Sequence, residues 1–257
     1  MKLQQSQYSV KIAQSVEEIS AAQRLRYRVF VAEKGAQVGQ DAHAAEIEID
    51  AYDQYYQHLI LIDSTCPDPR KNVVGAYRLI TDQQARNGAG FYGRSEYDLQ
   101  KLTGSGRRLL EVGRSCIARE HRGGIALFLI WQALTRFVME NEIDVLFGVA
   151  SFSGIEPRDY AQALSYLHHY HLAPDDLRVQ AIGENAVAMD MVEKHQIDRL
   201  KALGQIPPLI KSYLRLGGFV GQGAFVDTAF NTLDVCLLLD VQRMNPKQRQ
   251  LYSQGVR

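Results

Sequence analysis

Along this chain the apolar positions change spacing several times, and each change marks an element. Residues 8–13 suit a short strand, and residues 16–34 carry Ile19, Ala22, Leu25 and Val29 at helical spacing, with Gly35 as the stop. Residues 58–62 are too apolar for a surface loop, and residues 72–80 are rich in valine and other strand formers. Both read as strands, kept apart by Pro67 and Pro69 and joined as an antiparallel hairpin. Residues 82–106 mix polar side chains with glycines and predict a connection holding one short helix at residues 96–102.

The centre of the pattern is a strand at residues 109–117 that runs into Arg122, Gly123, Gly124, Ile125 and Ala126. A strong helix follows, on which Leu127, Ile130, Trp131, Leu134 and Val138 form one apolar stripe. Residues 144–150 then suit a buried strand. Helices at residues 158–171, 197–203 and 209–216, the last started by Pro207 and Pro208, precede a buried strand at residues 232–240. No repeat or linker divides the chain. The expectation is a single mixed α/β domain over residues 1–257, with a helical and strand extension from about residue 155.

The composition, 46% hydrophobic and 23% charged over 257 residues, is that of a globular chain and excludes disorder and fibre. The 29 basic and 29 acidic side chains cancel, so no global cationic field favours nucleic acid. Cys66, Cys116 and Cys236 are odd in number and lack metal spacing, which suits a reducing compartment. No apolar run approaches the roughly 20 residues that span a bilayer, and the N-terminus lacks a signal-peptide core. The protein is expected in the cytoplasm, with zero net charge leaving open a peripheral contact with the inner face of the membrane.

Arg122, Gly123 and Gly124 lie between a strand and a helix, where unpaired amides and the helix dipole suit a phosphate. No GK[ST] follows and no GxGxxG is present, so both nucleotide-loop readings fail on spacing. From the pentapeptide alone, an ordinary tight turn remains an equal alternative. Strand, glycine turn and helix together resemble the GNAT acyltransferase superfamily, whose turn reads Gln/Arg-x-x-Gly-x-Gly/Ala. Gly124, Ile125 and Ala126 fit its second half, while His121 stands in the Gln/Arg place.

Longer strings narrow the resemblance: RYRVFVAEKGA at residues 26–36, VVGAYRLI at 73–80, EVGRSCI at 111–117, FGVASFSG at 147–154, ALSYLHHY at 163–170 and PPLIKSYLRLGGFVGQGAFVD at 207–227. Together they resemble the L-ornithine Nα-acyltransferase family of bacterial ornithine-lipid synthesis. The resemblance implies a GNAT-like α/β fold with a mixed, mostly antiparallel central sheet and flanking helices. It also implies transfer of a 3-hydroxyacyl group from acyl carrier protein to the α-amino group of L-ornithine, giving lyso-ornithine lipid. The departure at His121 favours a donor with one phosphodiester on a pantetheine arm, with acyl-CoA retained as an alternative, and no cofactor or metal is implied. RxxVF at residues 26–30 with ExxR at 111–114 is also similar to the acyl-homoserine-lactone synthases, the rival enzyme class. A non-catalytic acyl-binding module on the same fold is the rival outside enzymes.

On this resemblance, Cys116, Ile117, Arg122, Gly123, Gly124 and Ile125 would meet the donor. Amide formation needs a base for the amine's proton, and Glu111 is the candidate, with an ion pair to Arg114 or Arg78 as its alternative. Strand alternation puts Glu111, Gly113 and Ser115 on one face and Val112, Arg114 and Cys116 on the other. Arg114 and Arg28 can each clamp a substrate carboxylate or an internal acid. Ser151 suits hydrogen bonding to substrate or pantetheine, with no GxSxG elbow to make it a nucleophile. For ornithine's side-chain cation Asp50, Asp53, Glu156 and Asp227 are available and unranked. His168, His169 and His171 point to different helix faces and suit packing better than a metal, and Cys116 suits a buried apolar role. The helix at residues 209–216 fits core packing, lipid contact or carrier docking.

Overall fold

A computed structural model describes residues 7–244. In chain order it holds β1 (Tyr8–Ile12), α1 (Val16–Arg26) continued by a π-helical segment (Tyr27–Glu33), α2 (Gln40–Ala45), β2 (Gln57–Asp63), β3 (Val73–Thr81) and α3 (Asp82–Asn87). Next come β4 (Tyr97–Asp98), α4 (Gln100–Thr103), β5 (Leu109–Ile117), α5 (Ala126–Glu140) and β6 (Val145–Ser153). The remainder is α6 (Ala161–His171), β7 (Gln180–Ala181), β8 (Ala186–Val187), α7 (Arg199–Gln205), α8 (Pro208–Arg215), β9 (Phe219–Val220), β10 (Ala224–Asp227) and β11 (Thr232–Asp240). These elements gather into two compact units: residues 7–89 with 112–142, and residues 90–111 with 143–244. The first three residues of β5 belong to the second unit and the rest to the first.

In the first unit the strands lie in the order β1, β2, β3, β5, with β1–β2 and β2–β3 antiparallel. β3 is buried along all but its last residue because α1 packs on it and α5 packs across β1, β2 and β3. That cover needs a residue without a side chain at one place. A Cβ on Gly75 would stand 2.5 Å from Ile130 Cδ1 and 3.2 Å from Leu61 Cβ, so the glycine lets α5 seat on the hairpin. The predicted helix of residues 16–34 forms throughout, but its last turns are π-helical, an arrangement frequent at functional sites.

In the second unit β5 pairs parallel with β6 from Leu109↔Val145 to Glu111↔Phe147, and β6 pairs antiparallel with the whole of β11. β11 continues to β10 and β10 to β8, while β9 also joins β11. β6 runs three residues past its expected end because β11 supplies partners as far as Ser153↔Thr232. The helix expected at residues 96–102 is largely replaced: Tyr97–Asp98 is a strand paired with β7, and only Gln100–Thr103 is helical. The Tyr97 phenol reaches the carbonyls of Gly223 (3.2 Å) and Asp234 (3.0 Å), a tertiary anchor that outweighs local helix preference. The predicted helix at residues 158–171 starts as a 3₁₀ turn, Pro157–Tyr160, and becomes α-helical at Ala161. On α8, Ile210 and Tyr213 are buried, so the core-packing reading of this helix accounts for its apolar side.

Both units supply a mixed α/β fold with a mostly antiparallel sheet and flanking helices. The Gly75 contact is testable. Gly75→Ala should lower stability by about 1–3 kcal/mol, read as a fall in Tm. Adding Ile130→Val, which removes the clashing Cδ1, should recover part of that loss; a Gly75→Ala protein as stable as wild type would contradict the packing described.

Candidate functional site

The first unit carries three arginines and three carboxylates in one buried network. Arg26, 1% exposed, bonds Glu48 through Nε, Asp53 through Nη1 (2.7 Å) and Nη2 (3.0 Å), and the Glu48 carbonyl (2.8 Å). Arg78 Nη1 meets Asp50 at 2.6 Å and Asp53 at 2.8 Å, with its guanidinium 4.7 Å from the Tyr56 ring centre. Arg114 reaches Glu48 through Nε (3.3 Å) and Asp50 through Nη2 (3.0 Å). Gln23 adds a bond to Asp53 at 3.0 Å. Burial pushes the Asp53 carboxyl up, but Arg26 and Arg78 more than offset this and hold it at about 2. Buried charges persist only when so compensated.

Arg114 has φ of 50°, the left-handed region that a residue with a side chain enters at a cost of about 1–3 kcal/mol. The strict alternation expected along β5 is therefore interrupted at this residue, and the two-face assignment does not carry through it. The two alternatives for Arg114 meet here in one of them: its guanidinium is spent on internal acids, though these are Glu48 and Asp50.

Glu111, in the second unit, is treated differently. It is 2% exposed, and its Oε2 accepts from the Tyr92 amide (2.8 Å) and its Oε1 from the Gly93 amide (2.6 Å). Phe91, packed edge-on against Phe147 at 4.9 Å, sets the start of this turn. A Cβ on Gly93 would lie 2.9 Å from Glu111 Oε1, so the seat requires glycine. Two backbone amides thus fix the orientation of the buried carboxylate. The same unit holds a cluster that sequence reading missed in part: ligand oxygens of Glu96, Asp227 and Asp234 lie within 4.8 Å of one another. Glu96 and Asp234 are buried, and Asp227 also accepts from the Ala229 and Phe230 amides. Three acids so close can hold a cation, whether a metal ion or an ammonium group. Ser151 is exposed on β6, opposite Asp234 in the ladder.

The glycine turn belongs to the first unit. Gly123 has φ of 77°, and a Cβ on Gly123 or Gly124 would meet nothing within 4 Å, so the backbone is open to a ligand. α5 has no side-chain cap, and among the described residues the amides of Gly123, Gly124 and Ile125 have no hydrogen-bond partner. Arg122 is a strut: its guanidinium is bidentate to Glu33 (2.5 and 2.8 Å), and its Nε reaches the Ile117 carbonyl. His121 turns from the loop to Tyr8, with Nδ1 and the phenol oxygen 2.8 Å apart, and its Nε2 lies 3.9 Å from Asp63. Cys116 is buried and its thiol is pushed up to about 12, chiefly by burial. Cys236 is likewise raised by burial and then by the nearby Glu111 and Glu96 carboxylates. Arg28, half-buried, bonds the Val73 carbonyl at 3.4 Å. His168, His169 and His171 belong to no cluster of metal-ligating side chains among the described residues.

In the first unit, strand, open amide turn and long helix follow one another as in an acyltransferase of GNAT type. An Acetyltransferase (GNAT) domain model matches residues 25–132. The chain is 49% identical over 250 residues to an L-ornithine N(alpha)-acyltransferase of Rhodobacter capsulatus, covering 97% of this chain and 96% of that one. It is 41% identical to the protein of that name from Brucella abortus, over 95% and 88% of the two chains. Among solved structures, the AHL synthase LasI shares the fold at a TM-score of 0.53 and 17% identity, over 97% and 96% of the chains. The chain belongs to the L-ornithine N(alpha)-acyltransferase family. Among the described residues no helix is long and apolar enough to cross a membrane.

The network predicts an acid limit. Asp53, depressed to about 2, contributes stability that is fully present above the ordinary carboxylate value near 4 and is lost as pH falls from there through 2. Denaturant unfolding between pH 5 and pH 2 should lose about 2 kcal/mol from this group, and Asp53→Asn should be less stable at pH 7 with a shallower acid slope.

Proposed function

We propose that the protein transfers a 3-hydroxyacyl group from the phosphopantetheine thioester of acyl carrier protein to the α-amino group of L-ornithine, forming lyso-ornithine lipid and releasing the carrier thiol. The observation that carries this reading is identity of 49% along nearly the full chain to a protein whose name states ornithine N-acylation. The 3-hydroxyacyl group and the carrier rest on the sequence strings; the open turn supports a phosphate-bearing donor, for which coenzyme A is the other source.

Glu111 takes the proton that the ammonium must lose before nitrogen attacks the thioester carbonyl. Asp53 is unsuited to this, because a group held at about 2 does not accept protons at neutral pH. Backbone near Cys116 and Ile117 leads the donor's arm to the amides of Gly123, Gly124 and Ile125, and Ser151 orients ornithine, while Arg114 stays paired with Glu48 and Asp50. Asp50 and Asp53 are occupied by arginines, and Glu156 is exposed and bonded to the Arg158 amide. The cluster of Glu96, Asp227 and Asp234 therefore suits the side-chain ammonium best.

Purified protein supplied with 3-hydroxyacyl carrier protein should acylate L-ornithine and leave S-adenosylmethionine unchanged, with products read by mass spectrometry. Lactone formation without an ornithine product would reverse the assignment. In the same assay Glu111→Gln should lower kcat on the order of 10²-fold while the donor KM holds, and unchanged turnover would remove Glu111 from the chemistry. The cluster has its own measurement. Glu96→Gln should raise KM for ornithine about 10-fold or more and reduce the enzyme's preference for ornithine over norvaline, which lacks the side-chain amine. An unaltered preference would assign the cluster elsewhere.

A further inference from the structure

Among the cations around the end of β5, Arg28 stands apart. Arg26, Arg78 and Arg114 meet carboxylates, and Arg122 is bidentate to Glu33. Arg28 is half-buried, and among the described residues its guanidinium has one long hydrogen bond, to the Val73 carbonyl at 3.4 Å, and no carboxylate partner. Withdrawing a guanidinium from water without an acid is unfavourable, and its planar fork matches a phosphate or carboxylate. An anionic ligand would complete it.

The proposed reaction offers two anions, the ornithine carboxylate and the donor phosphate, and position selects between them. Arg28 is anchored at Val73, and the neighbouring Val74 carbonyl accepts from the Ala118 amide at 2.8 Å, just where β5 gives way to the turn. Five residues along the same π-helical segment, Glu33 holds Arg122 of that turn. Burial raises the Cys116 thiol, Arg26 lowers it, Glu48 adds to the rise, and Lys34 and Arg28 lower it, so Arg28 is among the charges felt at the end of β5. Exposed Arg119 and Lys34 extend the positive field to Glu33.

We infer that Arg28, together with the free amides of Gly123, Gly124 and Ile125, grips the phosphate at the end of the donor's pantetheine arm, and that Arg122 only braces the turn. This rests on the acyl-transfer reading above. A carrier phosphodiester and the phosphates of coenzyme A share the chemistry Arg28 would read.

Steady-state kinetics of wild type, Arg28→Gln and Arg28→Lys would be measured with one acyl chain on three donors: acyl carrier protein, coenzyme A, and pantetheine without phosphate. Arg28→Gln should raise the KM of each phosphorylated donor about 10-fold or more, leave the ornithine KM in place and match wild type on acyl-pantetheine, with Arg28→Lys intermediate. A loss confined to the carrier protein would place Arg28 against the carrier's surface and overturn the inference. So would a raised ornithine KM, or an equal loss on acyl-pantetheine, which marks a structural role. Should wild type acylate no ornithine from any donor, the acyl-transfer reading fails, and calorimetric titration with free phosphopantetheine still decides Arg28: weaker binding to Arg28→Gln supports it, and equal binding sinks it.

Discussion

The buried pairing of Arg26 and Arg78 with Asp53 is the constraint on which the first unit depends. Asp53 touches both guanidinium groups, Glu48 and Asp50 extend the pairing to Arg114, and the acids lie between α1 and β2 in the chain. Removing one member would leave a charge out of water without its counterpart, which is far costlier than never having buried the group. The network thereby ties α1, the acidic segment before β2, β3 and β5 into one body. It also accounts for the backbone of β5: the left-handed Arg114 is held where two carboxylates receive its side chain.

The protein uses its buried acids in two ways, and the difference decides what each can do. Asp53 is neutralised by cations, which hold it ionised and out of proton chemistry at neutral pH. Glu111 is seated by two neutral amides on a glycine-lined turn, which orient it without adding a positive charge of their own. Cys116 and Cys236 are unsuited to nucleophilic work, since burial raises both thiols.

The turn before α5 illustrates how a resemblance in sequence is realised by other means. Arg122 would read as a phosphate ligand beside two glycines, yet Glu33 takes both ends of its fork. His121, in the place that the superfamily gives to glutamine or arginine, packs on Tyr8 at 5.8 Å between ring centres and shares a hydrogen bond with it. Both side chains are tied to other parts of the first unit, and among the described residues the amides of Gly123, Gly124 and Ile125 have no hydrogen-bond partner.

The local pattern was sufficient for the long elements. β5 and β11 coincide with residues 109–117 and 232–240, and α5 buries Ile130, Trp131, Leu134 and Val138 of the predicted stripe but leaves Leu127, in its first turn, exposed, because periodicity over nine or more residues reflects one buried face. The family strings and the strand-to-helix glycine turn were legible for the same reason: each is contiguous. What the chain order could not disclose was partnership. Arg26 finds Asp53, Tyr97 finds the carbonyl of Asp234, and Glu96 joins Asp227 and Asp234 across more than a hundred residues. The strands β7 to β10, two to four residues long, are likewise shaped by their neighbours. Sequence alone determined which segments bury a face and which motifs they carry. Which acid meets which cation was decided only by tertiary structure, since Coulomb attraction and desolvation depend on separation in space and not along the chain.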